Sequence, residues 1–258
     1  MAKALDKHSD TQMMSKQASK QASKQASKQV IQLSLFDYDQ EENGVKKYVR
    51  QIDYDDASFF ILNIHYSRRL PSISYAYGLF VDGELVGCVT YGLPASPPLC
   101  KGIAGTQNQH NVLELNRLVI LPKYNGKNYA SFLVGRSLKM LPNRTFVVSY
   151  ADTAWSHVGY VYQATNFLYT GLSASRTDTW QPTGKHGRHQ EQSDNSIRQT
   201  RSRKHRYVYL VGDRRTKRQM RKDLKYKVYP KYPKGDEIKY DIKNPKPINP
   251  VKRIKVED

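Results

Sequence analysis

The sequence predicts a mixed α/β domain, a central sheet flanked by helices. Three observations point to it. SYAYGLFV and ELVGCVTYG are alternating apolar runs joined by Asp82-Gly83, the strongest short hairpin signal. VLELNRLVIL (112–121), a glycine-bearing turn and YASFLVGRSLKML (129–141) then follow as strand, turn and helix. Beyond Pro142, strand-like and helix-like runs alternate as far as residue 212. The domain is placed at residues 46–212, between a tether (1–45) and a basic C-terminal extension (213–258).

The tether holds a tandem SKQA repeat from Ser15 to Gln29, with no aromatic or β-branched residue to bury. Order is expected to begin between Ile31 and Val49. Asp55 and Asp56 open a helix through ASFFILNIHYSRR, closed by His65, Tyr66, Arg68 and Arg69 and stopped by Pro71. Residues 94–111, rich in Pro and Gly, are expected to form a loop. RTFVVSYAD (144–152) reads as a strand, residues 156–166 as a short helix and 167–173 as a strand. A polar loop or lid is expected at 176–204, a last strand at 205–212 and a basic helix in RRTKRQMRKDL, with no core signal in the Lys/Pro/Tyr segment beyond.

Charge narrows the partner. The chain carries 42 Lys/Arg against 23 acids, net +19. Residues 1–45 are neutral, whereas 176–258 hold 24 basic and 10 acidic residues. Such a concentration repels itself unless a polyanion is present, and nucleic acid is the usual one. The bland alternative is a solvated basic tail. The expected phosphate contacts are Arg68, Arg69, Arg201, Arg203, Lys204, Arg206, Arg214 and Arg215, with Tyr207, Tyr209, Tyr226 and Tyr229 interleaved either for base stacking or as strand and core residues. No apolar run approaches the ~18 residues of a membrane span, and the first residues lack a signal-peptide core. Two cysteines, Cys88 and Cys100, make neither a disulfide framework nor a zinc site, and a reducing compartment is the default.

Several residues carry candidate chemistry, each with a plainer alternative. His65-Tyr66 is a proton relay, or a surface pair at a helix end. Asp152 ends a strand, where open α/β sheets place ligands, or caps the next helix. Tyr160 and Tyr162 act on protons or bases, or pack in the core. Arg117, costly in an apolar strand, holds an anionic donor group or pairs with Glu114. Lys123, Gly126 and Ser131 flank the start of a helix whose N–H groups suit phosphate. His186 and His189 have ligand-like spacing without a local acid or cysteine, and solvated loop histidines are the plainer reading.

The element order is similar to that of the acetyltransferase-like (GNAT) fold. Its phosphate loop, Gln/Arg-x-x-Gly-x-Gly/Ala, is altered here to Lys123-Tyr-Asn-Gly126-Lys-Asn128, so acyl-CoA is not favoured. The blocks HYSRRLPSISYAYGLF, LPASPPLCKG, LELNRLVILPKYNGKNYASFLVGRSLKMLP and VVSYADTAWSHVGYVYQATNFLYTGLS resemble the Mom family of phage DNA modification proteins over about residues 55–190. The resemblance implies carbamoylmethylation of adenine N6 in double-stranded DNA, protection from host restriction, and action in the cytoplasm of the bacterial host. It gives catalytic roles to Asp152, His65, Tyr66 and Tyr162, with Tyr160 as an alternative, and a donor site to Arg117. The family is associated with iron, for which His65, Asp152, His186 and His189 are the imaginable ligands. The donor molecule is unknown and the oligomeric state open, a homodimer being one alternative. Two rival readings stand beside it: an acyl-CoA-dependent N-acyltransferase and a non-enzymatic basic DNA-binding protein.

Overall fold

In the computed structural model the residues described are 40–42, 44–179, 197–235 and 253–255. The SKQA repeat, His186 and His189 lie outside them. Strands β1 (Gln40–Glu42) and β2 (Val45–Gln51) precede helix α1 (Tyr54–Asn63). The hairpin is β3 (Tyr75–Val81) and β4 (Glu84–Gly92). Its turn residues Asp82 and Gly83 have φ of 49° and 86°, the left-handed pair a two-residue hairpin requires. Asp82 also accepts the Lys46 N–H at 2.9 Å, tying β2 to the turn.

Helix α2 (Pro97–Ala104) and a 3-10 turn occupy the stretch expected as a loop. The prolines there begin a helix: Pro97 sits at N1, where its missing N–H costs nothing. Ile103 and Ala104 give the helix a buried face. Next come β5 (Val112–Ile120), α3 (Tyr129–Ser137), β6 (Phe146–Asp152), α4 (Tyr160–Ala164) and β7 (Leu168–Leu172). Strands β8 (Arg176–Thr179) and β9 (Ile197–Arg201) lie in the segment expected as a lid, followed by β10 (Lys204–Leu210), α5 (Arg214–Asp223) and β11 (Arg253–Lys255).

Eight strands form one mixed sheet in the order β1-β2-β3-β4-β5-β6-β10-β7, and β11-β9-β8 form a small second sheet. Only β5 and β6 of the main sheet run parallel. Both faces are covered, so adjacent residues of one strand are buried together, as Tyr207 and Val208 are. One face packs Leu79, Tyr91, Phe167 and Tyr207 in a cluster with Leu133 of α3. On the other, Ile103, Phe146, Val148 and Val208 meet Met220 of α5. The basic helix therefore contributes a fully buried residue. The chain after it wraps the edge strand β7. Tyr229 donates its N–H to the Tyr169 carbonyl (2.9 Å), and the Tyr232 hydroxyl donates to Phe167 O (2.8 Å). Gly171, at φ +94°, admits the Tyr229 ring where a Cβ would stand 2.9 Å from it. This wrapping occupies a sheet edge that would otherwise be open to pairing.

Candidate functional site

The site arises where the sheet splits. β5 and β6 pair only through Val112–Glu114 and Phe146–Val148, and then part. On its other side β5 carries a bulge: Thr90 faces Arg117 and Tyr91 faces Leu115, leaving Asn116 as the extra residue. The gap is a cleft of about 270 Å³, lined by the diverging strands, the turn after α1 and the start of α4.

Helix α1 ends at Asn63, earlier than expected, and no basic residue lies in its last turn. His65 and Tyr66 thus belong to the turn beyond it, held where the His65 N–H bonds back to the Phe60 carbonyl. Both line the cleft. His65 is buried, at 7% exposure. Its Nδ1 accepts the Ser67 N–H at 3.0 Å. A backbone N–H can only donate, so Nδ1 is bare and Nε2 carries the hydrogen. Burial, with Arg117 and His157 nearby, lowers the His65 pKa to about 3. His65 is therefore a neutral hydrogen-bond donor and not a group that titrates near neutrality, and it is buried and not on the surface. Its ring stacks on Tyr66 (4.2 Å between centroids), Tyr66 lies 4.6 Å from Trp155, and His157 meets Tyr66 edge-on at 6.0 Å. Trp155 was not anticipated as the ring against which Tyr66 packs.

Glu114 is the residue that sequence reasoning undervalued, naming it only as a partner for Arg117. It lines the cleft, and its carboxylate forms no hydrogen bond among the described residues. Burial raises its pKa, against the opposing pull of Arg117 and Lys204. A Glu inside an apolar strand was the available signal. Asp152 is more committed: Oδ1 accepts the Ala154 N–H (2.9 Å), capping a 3-10 turn, and Oδ2 lies 3.1 Å from Lys204 Nζ. The capping alternative is met, with an ion pair added. Lys204, expected on DNA phosphate, instead lines the cleft.

Arg117 lines the cleft too, but Nε and Nη2 both donate to Arg69 O (3.1 and 2.8 Å) and Nη1 to Asn116 O. It grips the loop after α1, a different task from the expected hold on a donor anion. Asn116 does likewise, accepting from Thr90 Oγ1 and donating to Ser72 O at 2.8 Å. Gly92 makes this possible, since a Cβ there would lie 1.8 Å from Ser72 O.

Tyr162 lines the cleft with its ring 5.3 Å from those of Phe167 and Tyr207. Tyr160 instead bonds to Gly235 O and is absent from the cleft lining. The expected donor turn is also elsewhere. Lys123 is exposed and bound to Glu84 at 2.8 Å, because the helix start turns toward that hairpin. Gly126, at φ +83°, sits in open space. Ser131 bonds to Asn128 O and lines a larger groove of about 480 Å³ with Lys47, Lys127 and Arg136. Among the described residues that groove is lined by cations but by no acid to accept a proton.

Of the expected DNA contacts, Arg206 is spent on Thr170 (3.0 Å to Oγ1 and to O) and lies 3.4 Å over the Tyr226 ring. Arg203 donates to Ser173 O yet is exposed, as are Arg68, Arg69, Arg201, Arg214 and Arg215. Among the described residues no three potential ligands come together for a metal, and two of the four imagined iron ligands, His186 and His189, lie outside those residues. No helix among them is long and apolar enough to cross a membrane.

A split mixed sheet whose cleft holds a basic carboxylate and an aromatic wall defines an α/β protein with a site suited to proton transfer beside a planar ring. The chain belongs to the Mom protein family, whose model matches residues 46–234. It is 30% identical over 115 residues to the methylcarbamoylase mom of Escherichia phage Mu, covering 43% of this chain and 48% of that one. The chain thus matches about half the length of that curated relative. Among solved structures, an N-acetyltransferase from Staphylococcus aureus Mu50 is 14% identical (64% of this chain, 98% of that one, TM-score 0.40). The ribosomal-protein-S18-alanine N-acetyltransferase from Escherichia coli is 9% identical (65% and 95%, TM-score 0.39). At that distance the two say nothing of donor or substrate.

Proposed function

We propose that the protein transfers a carbamoylmethyl group to N6 of adenine in duplex DNA, protecting phage DNA from restriction by the host. The observation that carries the reading is Glu114, a half-buried carboxylate of raised basicity without a side-chain hydrogen bond among the described residues, in a cleft lined by Tyr66, His157 and Tyr162. Family membership and the name of the phage Mu relative support it.

The adenine amine is a poor nucleophile because its lone pair is delocalised into the ring. It needs orienting and a base that removes a proton as it attacks. A base in the duplex is out of reach, so the adenine turns out into the cleft, where Tyr66, itself packed against Trp155, stacks on it. The neutral His65 donates from Nε2 to a ring nitrogen. Glu114 takes the N6 proton as N6 bonds to the donor's methylene carbon, and the donor's leaving group departs with the electron pair of the broken bond. The Asp152–Lys204 pair and Tyr162 shape the cleft wall, and Lys204 tempers the charge on Glu114. The cationic groove by Ser131 holds the anionic part of a donor. Exposed cations of α5 and Arg201 and Arg203 take phosphates, giving salt-dependent, sequence-independent affinity.

Mass spectrometry of nucleosides from plasmid DNA, after expression in bacteria, tests this. The expected product is deoxyadenosine bearing one carbamoylmethyl group. Unmodified adenine, from cells holding soluble and DNA-bound protein, would favour a basic DNA-binding protein without this activity.

A further inference from the structure

The cleft explains where an extruded adenine would go, but extrusion leaves a gap in the duplex. The loop at the cleft rim, Ser67 to Pro71, has the build of a part that fills it. It is fixed at several points. The Ser67 N–H bonds to His65 Nδ1 and the Arg68 N–H to His65 O. Arg117 grips the Arg69 carbonyl with two donors, and Asn116 holds Ser72 O. Both gripping residues sit at the β5 bulge and line the cleft, so loop and site move as one body. Arg68 is held at φ 44°, a left-handed conformation that a non-glycine residue adopts only under constraint.

This rigid support presents an apolar residue to solvent. Leu70 is 39% exposed, between exposed Arg69 and Pro71. Exposed leucines need no explanation singly. Here, however, the leucine stands on a clamped loop between two arginines and a proline, beside a cleft with an aromatic wall. Proteins that open a duplex insert Leu, Phe, Ile, Met or Pro between base steps while basic neighbours hold the phosphates.

We propose that Leu70 is a wedge that enters the base stack of duplex DNA and fills the space vacated by the adenine turned into the cleft, with Arg68 and Arg69 on the flanking phosphates. This rests on the adenine-modification reading above. Arg117 is then a positioning residue, acting through the loop it grips.

The test uses the full chain, expressed as wild type, Leu70→Ala, Leu70→Met and Leu62→Ala. Leu62 is similarly exposed (42%) but lies within α1 and not on the clamped loop. Modified deoxyadenosine in plasmid DNA is expected to fall about tenfold with Leu70→Ala, a cost of about 1.4 kcal/mol, and to hold near wild type with Leu70→Met and Leu62→Ala. A second readout uses a duplex copied from a modified plasmid site, with 2-aminopurine, whose fluorescence stacking quenches, at the target. Wild type is expected to raise the fluorescence. Leu70→Ala is expected to bind the duplex within about twofold of wild type and give little rise. Wild-type adduct levels or an undiminished rise with Leu70→Ala overturn the wedge alone. Absence of any adduct with the wild type overturns the parent reading and the wedge with it.

Discussion

Replacing His65 by Asn separates the cost of charging this buried ring from every other effect of acid. In the native state the His65 pKa is about 3, against 6.5 for a free histidine. A depressed native pKa means that the unfolded chain binds the proton first. The stability this group contributes is therefore present above pH 6.5 and is lost as pH falls from there toward 3. Between pH 7 and pH 5 the loss is about 2 kcal/mol, or about 6 °C in Tm for a chain of this size. Asn keeps an acceptor for the Ser67 N–H and does not titrate. The substitution carries a fixed penalty of its own, which cancels when each protein is compared with itself at two pH values. Urea unfolding at pH 7 and pH 5 gives the four free energies. Wild type is expected to lose about 2 kcal/mol more than His65→Asn over that interval. Parallel losses would mean that His65 is charged or exposed in the native protein, and the neutral donor assigned to the cleft would fall.

Three further outcomes follow from the same geometry. Gly92→Ala places a methyl group against the Ser72 carbonyl, backbone on backbone, and is expected to cost more than about 2 kcal/mol in chemical unfolding; a neutral effect would show the loop after α1 to be loosely held. Arg117→Lys removes the two-donor grip on Arg69 O, because a point charge does not reproduce the fork. Adduct yield is expected to fall about tenfold with DNA affinity near wild type, and unchanged yield would deny Arg117 a positioning role. Arg214, Arg218 and Arg221 are exposed along α5, and replacing all three by Ala is expected to lower the salt-dependence slope of DNA affinity by about 0.9 per lost phosphate contact. A constant slope would move the DNA path off this helix.

The mixed sheet and its helices were legible because the hairpin and the strand–turn–helix unit use local signals, Asp82-Gly83 and the periodicity of residues 129–137. The helix at Pro97–Ala104 was hidden, since prolines that begin a helix look like those that prevent one until the buried face of Ile103 and Ala104 is known. β8 and β9 escaped notice because neither carries an apolar alternation. At the site, His65, Tyr66, Arg117, Asp152 and Tyr162 were all named, and the fold brings the first three and Tyr162 into one cleft. Their tasks were less readable. The burial of His65, the grip of Arg117 on a loop 48 residues away in sequence and the pairing of Asp152 with Lys204 are tertiary facts. Glu114 was passed over because its importance depends on where β5 and β6 separate, and a three-residue parallel pairing leaves no mark in the sequence.

Glu114 is the proposed acceptor of the N6 proton. The direct measurement is the yield of modified deoxyadenosine in plasmid DNA from cells expressing wild type, Glu114→Gln or Asp152→Asn, at matched levels of soluble protein. Loss of a general base is expected to lower the yield with Glu114→Gln by about a hundredfold or more, with thermal stability held or raised because a half-buried, desolvated charge is removed. Asp152→Asn keeps the acceptor for the Ala154 N–H and is expected to retain measurable modification. Wild-type yield with Glu114→Gln would contradict the account and return the proton to another residue of the cleft.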